Sequence, residues 1–226
     1  MVLSLDKMEL MEYTSRQLNN IFPDKNVVDL TKQHKIIDLA LDRMHYCFKH
    51  VAYQRYNKEG LTLFNHLYSD HYLMYTWFLA NTIWKEGGDT AVASKLYYLN
   101  KTLHGIDCMY DTQLPDIFLL FHSGGTMLGK AAYADYFVAL QGCTIGSQKG
   151  NYPFFGKGVA LTANSSVIGK CTIGHRCTIS AGTTIFQKDI ADDSTAFVNF
   201  ETGQLQVKPT KECYAQQFFN VDLKKV

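Results

Sequence analysis

The sequence predicts an α+β protein in which a helical first half is followed by a parallel β-solenoid. Two observations carry this prediction. Apolar residues recur at six-residue steps between residues 121 and 185, whereas apolar residues before residue 105 have helix-like spacing. A period of six fits neither an α-helix, which repeats near 3.6 residues, nor a flat strand, which repeats every two. It fits a triangular coil with three short strands as sides, stacked on its neighbours around one continuous core.

The first half, residues 1–109, is predicted to form a helical domain with four or five helices between residues 5 and 105. No proline interrupts residues 28–99, and Asp29, Ser69 and Asp89 are suited to begin or break helices. Gly105 and Pro115 punctuate the chain after the last helix. The boundary between the two halves is therefore expected near residues 106–115.

The second half, residues 110–198, is predicted to form the solenoid. One large residue in six is expected to point into the coil, and a small residue four positions later is expected to lie near a corner. The phase shifts once by four residues, which indicates a loop that leaves the coil at residues 147–154. Residues 199–226 are expected to form a tail that caps the open end. The residues expected to point inward are Phe121, Met127, Tyr133, Ala139 and Ile145, followed by Phe155, Leu161, Val167, Ile173, Ile179 and Ile185.

Composition limits the possible partners. The formal net charge of the 226 residues is +1 and the basic residues are scattered, so neither a nucleic acid nor a membrane is a predicted partner. No stretch approaches the roughly eighteen apolar residues that a transmembrane helix needs. The first residues show no secretory signal, so the expected location is the cytoplasm. The six cysteines form no C-x-x-C pair and are expected to be reduced.

Three segments of the second half carry a family resemblance. Residues 119–129, LLFHSGGTMLG, are similar to the motif LDHATGVVIG. Residues 142–153, GCTIG and a loop ending in NYP, are similar to VTLGG…DRHP, and residues 161–182 are similar to the coils IGAGA…GAGS. The chain thus resembles the hexapeptide-repeat acyltransferases, and among them the serine acetyltransferases. Over residues 110–198 the resemblance implies a left-handed parallel β-helix of hexapeptide repeats. It also implies a homotrimer or a dimer of trimers, with the helical domain mediating assembly.

The resemblance assigns His122 as the general base of acetyl transfer. Histidine can accept a proton near neutral pH, as an acceptor hydroxyl requires when it attacks a thioester. A base histidine usually has a partner that holds its ring. The family's aspartate just before this histidine is replaced by Phe121, which leaves Asp111 and Asp116 as equal candidates for that partner. Either aspartate could instead be a turn or cap residue.

The acceptor site departs from the family in a second place. A histidine of the family's loop is replaced by Tyr152, which can donate a hydrogen bond and pack against an acceptor but is a poor base at neutral pH. Gln141, just before the loop, is a further candidate for acceptor binding. L-serine carries an ammonium and a carboxylate that need charged partners, whereas a sugar hydroxyl does not. The acceptor class therefore stays open between these two.

The donor implied by the resemblance is acetyl-CoA, as a co-substrate. The family lets the pantetheine arm lie close to small residues along the coil edge, and Gly146, Ala163 and Ala181 match those positions. Corner packing would explain each of these small residues equally well. Lys188 is a candidate for the coenzyme A phosphates because of its charge and position.

These observations favour an acetyl-CoA-dependent O-acetyltransferase that acts on L-serine or a sugar hydroxyl. Two alternatives stay open: N-acetylation of an amino sugar on the same scaffold, and a non-catalytic hexapeptide-repeat protein that serves assembly. No metal is expected, because a catalytic zinc needs three convergent ligands and only His122 and His175 lie in the repeat region.

Overall fold

The computed structural model describes all 226 residues and divides the chain into two compact units. A helical unit contains residues 1–49 and 54–111, and a solenoid unit contains residues 50–53 and 112–226. The four residues His50–Tyr53 therefore belong to the solenoid unit, although the chain on either side of them belongs to the helical unit.

Four α-helices and a small sheet form the helical unit, which confirms the predicted helices. The first helix begins with a capping box, in which the Asp6 side chain accepts from the backbone N–H of Glu9 at 2.9 Å and the Glu9 carboxylate accepts from the backbone N–H of Asp6 at 3.0 Å. Asp89 caps the fourth helix, and Gly105 ends it in the left-handed region at φ 66°. The helices are α1 (Lys7–Ile21), α2 (His34–Phe48), α3 (Ser69–Lys85) and α4 (Thr90–His104), with a 3-10 turn at Leu30–Lys32, and the strands β1 (Val2–Leu3), β2 (Asn57–Lys58) and β3 (Leu61–Phe64) pair in the order β1-β3-β2.

Helix α3 lies at the centre of the helical unit. Every residue from Asp70 to Ile83 is buried, because apolar and aromatic side chains surround this helix rather than following one stripe. None of the helices has the length and apolar character needed to cross a membrane.

Three sheets form the three sides of the solenoid unit. Its strands are two to five residues long, and each pairs in parallel with strands of neighbouring coils, except for one antiparallel hairpin at the end. The first sheet contains β4 (Phe118–Leu120), β7 (Phe137–Ala139), β10 (Ala160–Leu161), β13 (Thr178–Ile179), β15 (Ser194–Val198) and β16 (Leu205–Pro209); the second contains β5 (Met127–Leu128), β8 (Thr144–Gly146), β11 (Ser166–Ile168) and β14 (Thr184–Phe186); the third contains β6 (Ala132–Tyr133), β9 (Phe154–Phe155) and β12 (Thr172–Ile173).

The register of these sheets confirms the six-residue period and the single shift. Ala160 pairs with Thr178, 18 residues further along, which is one coil of three six-residue sides. Val138 pairs with Ala160, 22 residues further along, so this coil holds four extra residues. The extra residues form the excursion after β8, in which Gln148 and Asn151 exchange backbone hydrogen bonds at 3.0 Å in each direction.

The prediction that Phe121 and Met127 point inward is wrong. Leu120 and Leu128 are the buried residues of the first coil, whereas Phe121 is half-buried and Met127 is 49% exposed. The corner between β4 and β5 has six residues, 121–126, whereas the same corner of the next coil has four, 140–143. The first corner has two extra residues, so the inward position before it falls one residue earlier than predicted, at Leu120. The inward position after it falls one residue later than predicted, at Leu128. From Tyr133 onward the large residues follow the predicted phase.

Aromatic and sulfur-containing side chains fill the solenoid. Tyr133 and Phe155 stack from adjacent coils with ring centroids 5.4 Å apart, and Phe137 meets Phe155 edge-on at 5.5 Å. All six cysteines are free and buried. Burial raises the pKa of the Cys143 thiol and raises that of Cys177 to about 11, so neither is a thiolate nucleophile near neutral pH.

The C-terminal residues cover the outer face of the first sheet. After the hairpin of β15 and β16, a 3-10 turn at Tyr214–Phe218 lies against this face, where the backbone N–H of Tyr214 donates to Thr178 Oγ1 at 2.9 Å. The outward residues of the sheet, such as Val138 and Ala160, are consequently buried. The tail thus lies along one side of the solenoid, while β16 forms the edge of the first sheet.

Residues His50–Tyr53 hold this tail in place as a strap. The backbone N–H of Ala52 donates to the carbonyl of Phe218 at 2.8 Å, and the backbone N–H of Asn220 donates to the carbonyl of His50 at 3.0 Å. Val51 and Phe219 form an antiparallel bridge. Because the strap comes from the middle of the helical half of the sequence, it brings Tyr53 to the solenoid from far away along the chain.

Candidate active site

His122 lies in the corner that is two residues longer than its counterpart in the next coil. It has φ +52°, in the left-handed region, where a residue with a Cβ costs about 1–2 kcal/mol. The corner is held by hydrogen bonds from Ser123 Oγ to the carbonyl of Ala139 at 3.1 Å and from Thr126 Oγ1 to the carbonyl of Leu140 at 2.7 Å. Other solenoid residues, such as Tyr136, Asn164 and Arg176, share this left-handed conformation, so what distinguishes His122 is the longer corner that holds it.

An aromatic cluster supports His122 from one side. It comprises Tyr53, Phe121, Tyr214 and Phe218. The Phe121 ring lies 4.1 Å from the imidazole of His122 and stacks on Tyr53 at 5.3 Å. Phe218 meets both of these rings edge-on, at 5.7 Å from Tyr53 and 5.5 Å from Phe121. The position at which the resembled family has an aspartate is therefore part of a packed aromatic group.

Three predicted binding residues follow His122 along the same row of corners. Gln141, Ala163 and Ala181 lie in the turns between the first and second sheets of successive coils. The row is continuous through backbone hydrogen bonds, in which the N–H of Asn164 donates to the carbonyl of Gln141 at 2.8 Å and the N–H of Gly182 donates to the carbonyl of Ala163 at 2.9 Å. The structure therefore places these three small or polar residues on one edge of the solenoid with His122.

The other three predicted binding residues lie on the next row of corners. Gly146 ends β8, Tyr152 belongs to the excursion that follows it, and Lys188 follows β14. Tyr152 is 51% exposed, and Lys188 is exposed. The second sheet separates this row from the row of His122, by a strand of three residues or about 10 Å. Within one chain the two rows do not converge.

The two candidate carboxylates occupy different places. Asp116 is exposed and precedes β4, whereas His122 follows that strand, so the chain places Asp116 at the opposite end of the strand from the histidine. Asp111 is the last residue of the helical unit and is half-buried.

Sequence reasoning missed three members of the aromatic cluster. These residues are Tyr53, Tyr214 and Phe218. They lie near His122 because the strap and the tail fold back onto the first sheet, and no local sequence pattern predicts such a contact. Phe121 was visible as a departure from the family motif, but the sequence did not reveal what its ring packs against. Burial, together with the nearby Tyr214, raises the pKa of Tyr53, so its hydroxyl stays protonated and can donate. No group of three or more His, Cys, Asp or Glu side chains is arranged to hold a metal ion.

Solved structures share this architecture. The serine acetyltransferase of Neisseria gonorrhoeae superposes with a TM-score of 0.66 at 16% sequence identity, over 92% of this chain and 82% of that protein. The chain has the fold of the serine acetyltransferases. The enzyme of Vibrio cholerae O1 biovar El Tor also gives a TM-score of 0.66 at 16% identity, over 91% and 83% of the two chains. A serine acetyltransferase in complex with CoA gives 0.65 at 14% identity, over 86% and 82%.

The likeness lies in the structure rather than in the sequence. No protein-family model matches the chain, and no curated protein sequence matches it either. The agreement in fold extends over both halves, and it confirms the predicted order of a helical domain followed by a left-handed parallel β-helix.

Proposed function

We propose that the chain is an acetyl-CoA-dependent O-acetyltransferase with His122 as its general base. The observation that carries the proposal is the placement of this histidine. It occupies the one corner of its row that is lengthened, on the fold of the serine acetyltransferases.

The reaction follows from the chemistry of a hydroxyl and a thioester. An imidazole nitrogen of His122 takes the proton of the acceptor hydroxyl while the hydroxyl oxygen attacks the thioester carbonyl carbon. The tetrahedral intermediate collapses by cleavage of the C–S bond, and the departing thiolate takes the proton from the imidazolium. The products are an acetyl ester and free CoA thiol. General base catalysis of this kind contributes about 10²–10⁴-fold to rate.

Two further assignments complete the proposed site. Asp111 or Asp116 would hold the imidazole ring, and Asp116 would do so from another copy of the chain, because β4 separates it from His122 in its own chain. The donor would lie beside Ala163 and Ala181 on the His122 row of one copy, and beside Gly146 on the second row of a neighbouring copy, with Lys188 of that second row near its phosphates. Support comes from the small size of the first three side chains, from the exposure of Lys188, and from a solved serine acetyltransferase of the same fold that is in complex with CoA. Tyr152 and Gln141 would contact the acceptor, which is L-serine or a sugar hydroxyl.

We also propose that the active form is at least a homotrimer, which the helical unit could pair into a dimer of trimers. The outward residues of the second sheet, between the two rows of candidate residues, carry no charge. These residues are Met127, Gly129, Thr144, Gly146, Ser166, Ile168, Thr184 and Phe186. An uncharged outer face suits contact with another copy. A neighbouring copy packed there could bring its second row of corners to the His122 row of the first.

The proposed function is tested by thiol release from acetyl-CoA with L-serine and sugars as acceptors, using wild type and His122→Asn. Asparagine tolerates the left-handed conformation, so the variant should fold and keep its assembly mass. Turnover should fall by about 10²–10⁴-fold, the range for loss of a general base. A folded variant that keeps full turnover would remove the base assignment. Failure of wild type to bind CoA or to release thiol with any acceptor would leave a non-catalytic assembly protein.

A further inference from the structure

The aromatic cluster beside His122 is built in two layers. Phe218 forms the buried layer, with 2% of its surface exposed. It contacts Tyr53 and Phe121 edge-on, at centroid distances of 5.7 and 5.5 Å, and Tyr214 in a tilted arrangement at 5.5 Å. The second layer comprises Tyr53, Phe121 and Tyr214, whose rings are accessible to solvent. Tyr53 and Phe121 are half-buried, and Tyr214 is 40% exposed. Since Phe121 is covered by Tyr53 on one side and approached by His122, the outer rings available to a ligand are the two tyrosines.

Backbone hydrogen bonds hold the two segments that carry these tyrosines. Tyr53 directly follows the strap residue Ala52, whose N–H donates to the carbonyl of Phe218 at 2.8 Å. Tyr214 is anchored through its own N–H to Thr178 Oγ1 at 2.9 Å. A surface that is already ordered does not have to be ordered by the ligand, which favours binding.

The chemistry of the cluster discriminates between acceptor classes. None of its four side chains carries a charge near neutral pH, and the tyrosine hydroxyls are neutral donors and acceptors. A free amino acid could place its ammonium over a ring face, but its carboxylate would lose hydration beside these neutral rings without a counter-charge. A sugar ring instead offers C–H groups to the negative faces of aromatic rings and hydroxyls to the tyrosine oxygens. Binding sites for neutral small molecules commonly combine such apolar walls with a few polar groups.

We propose that the aromatic cluster is an acceptor platform that selects a neutral sugar ring and presents one of its hydroxyls to His122. This inference rests on the proposed acetyltransferase function and narrows its acceptor to a carbohydrate rather than a free amino acid. Tyr53 is the residue that contacts the ring. Phe121 and Phe218 act as positioning residues, because they hold Tyr53 and the imidazole in place.

The test uses the intact protein and measures thiol release from acetyl-CoA. Acceptors are methyl glycosides of neutral and N-acetylated hexoses, with L-serine tested in parallel. Saturable release with at least one glycoside, and none with L-serine, is the expected result. In Tyr53→Leu the KM for that glycoside should rise about tenfold while kcat stays within about threefold, since the ring is lost but the base is kept. Tyr98→Leu, which removes a 56% exposed tyrosine from the helical unit, should leave both constants unchanged.

The outcomes separate this inference from the proposed function. Saturable release with L-serine and with none of the glycosides overturns the platform but keeps the acetyltransferase. An unchanged glycoside KM in Tyr53→Leu also overturns it. If CoA binds but no acceptor turns over, glycoside binding is measured by saturation-transfer NMR. Saturation transfer to the glycoside ring protons from wild type, but not from Tyr53→Leu, supports the platform. No saturation transfer from wild type, or equal transfer from both proteins, refutes it. A chain that neither binds CoA nor releases thiol loses the proposed function, and this inference with it.

Discussion

His71 makes the stability of the helical unit depend on pH. It lies on α3 with 1% of its surface exposed, and its Nδ1 accepts the backbone N–H of Asn65 at 3.0 Å. Its ring packs against Tyr56 at 4.3 Å and Tyr68 at 4.7 Å. Burial, and to a smaller extent the nearby Arg55, lowers the pKa of His71 to about 3. The imidazole is therefore neutral in the folded protein at any physiological pH.

The direction of the effect follows from proton linkage. Between the unfolded pKa near 6.5 and the folded pKa near 3, the unfolded chain binds a proton at His71 that the folded chain does not. The stability is fully present above about pH 6.5 and is lost as the pH falls below it. Each pH unit in this window costs about 1.4 kcal/mol, so the share of His71 amounts to about 2 kcal/mol between about pH 7.5 and pH 5.

The assay is chemical denaturation of wild type and His71→Phe at both pH values. Phenylalanine fits an aromatic surrounding but leaves the Asn65 N–H without its acceptor, which should cost about 1–3 kcal/mol at either pH. The informative quantity is therefore the change in unfolding free energy between the two pH values. It should be about 2 kcal/mol smaller in the variant, and the remaining dependence should include His104, whose pKa burial lowers to about 4.

The control for the His71 prediction is a histidine that is exposed rather than buried. His34→Gln removes an exposed histidine at the start of α2 and should keep the pH dependence of wild type. If His71→Phe loses as much stability on acidification as wild type does, the buried neutral imidazole is not the source of the effect.

Two further predictions concern the solenoid unit. A Cβ added at Gly174 would lie 2.6 Å from the backbone nitrogen of Asp192 in the next coil, so Gly174→Ala should lower the free energy of unfolding by about 1–3 kcal/mol. Gly146→Ala, whose nearest neighbour would be 3.9 Å away, should change it by less than about 0.5 kcal/mol, and equal effects in denaturation curves would contradict the packing argument. Ser166→Arg places a charge in the uncharged outer face of β11 and should reduce the proposed trimer to monomers. Light scattering that gives the same assembly mass for the variant and wild type would exclude this face as the interface.

The sequence predicted the regular part of the fold and not its exceptions. The inward series from Tyr133 to Ile185 follows from a strict period, because each coil repeats the geometry of the last. The first coil departs from this period since its corner is longer, and Phe121 and Met127 fall out of phase there. The helix starts at Ser69 and Asp89 were visible from local chemistry. Strand β1 was not, because two residues pair only through the distant β3.

The candidate site also has one part that the sequence predicted and one part that it did not. His122 could be found from a short motif, since the residues around it are contiguous in the chain. The cluster that supports it could not, because Tyr53 and Phe218 are 165 positions apart and meet only through tertiary packing. Sequence reasoning identified Phe121 as a loss of charge, and the structure adds that its ring replaces the carboxylate with an aromatic contact to the imidazole.

The strap changes how the solenoid unit should unfold. In a simple repeat array each coil contacts only its neighbours, so coils can fray one at a time from either end. Here the last segment of the chain is hydrogen-bonded to residues 50–53 and covers the outer face of several coils at once. Fraying of the terminal coil would therefore require the tail to detach from the whole sheet. The array should behave as one cooperative unit, with slow amide exchange extending to its last coil instead of falling off toward it.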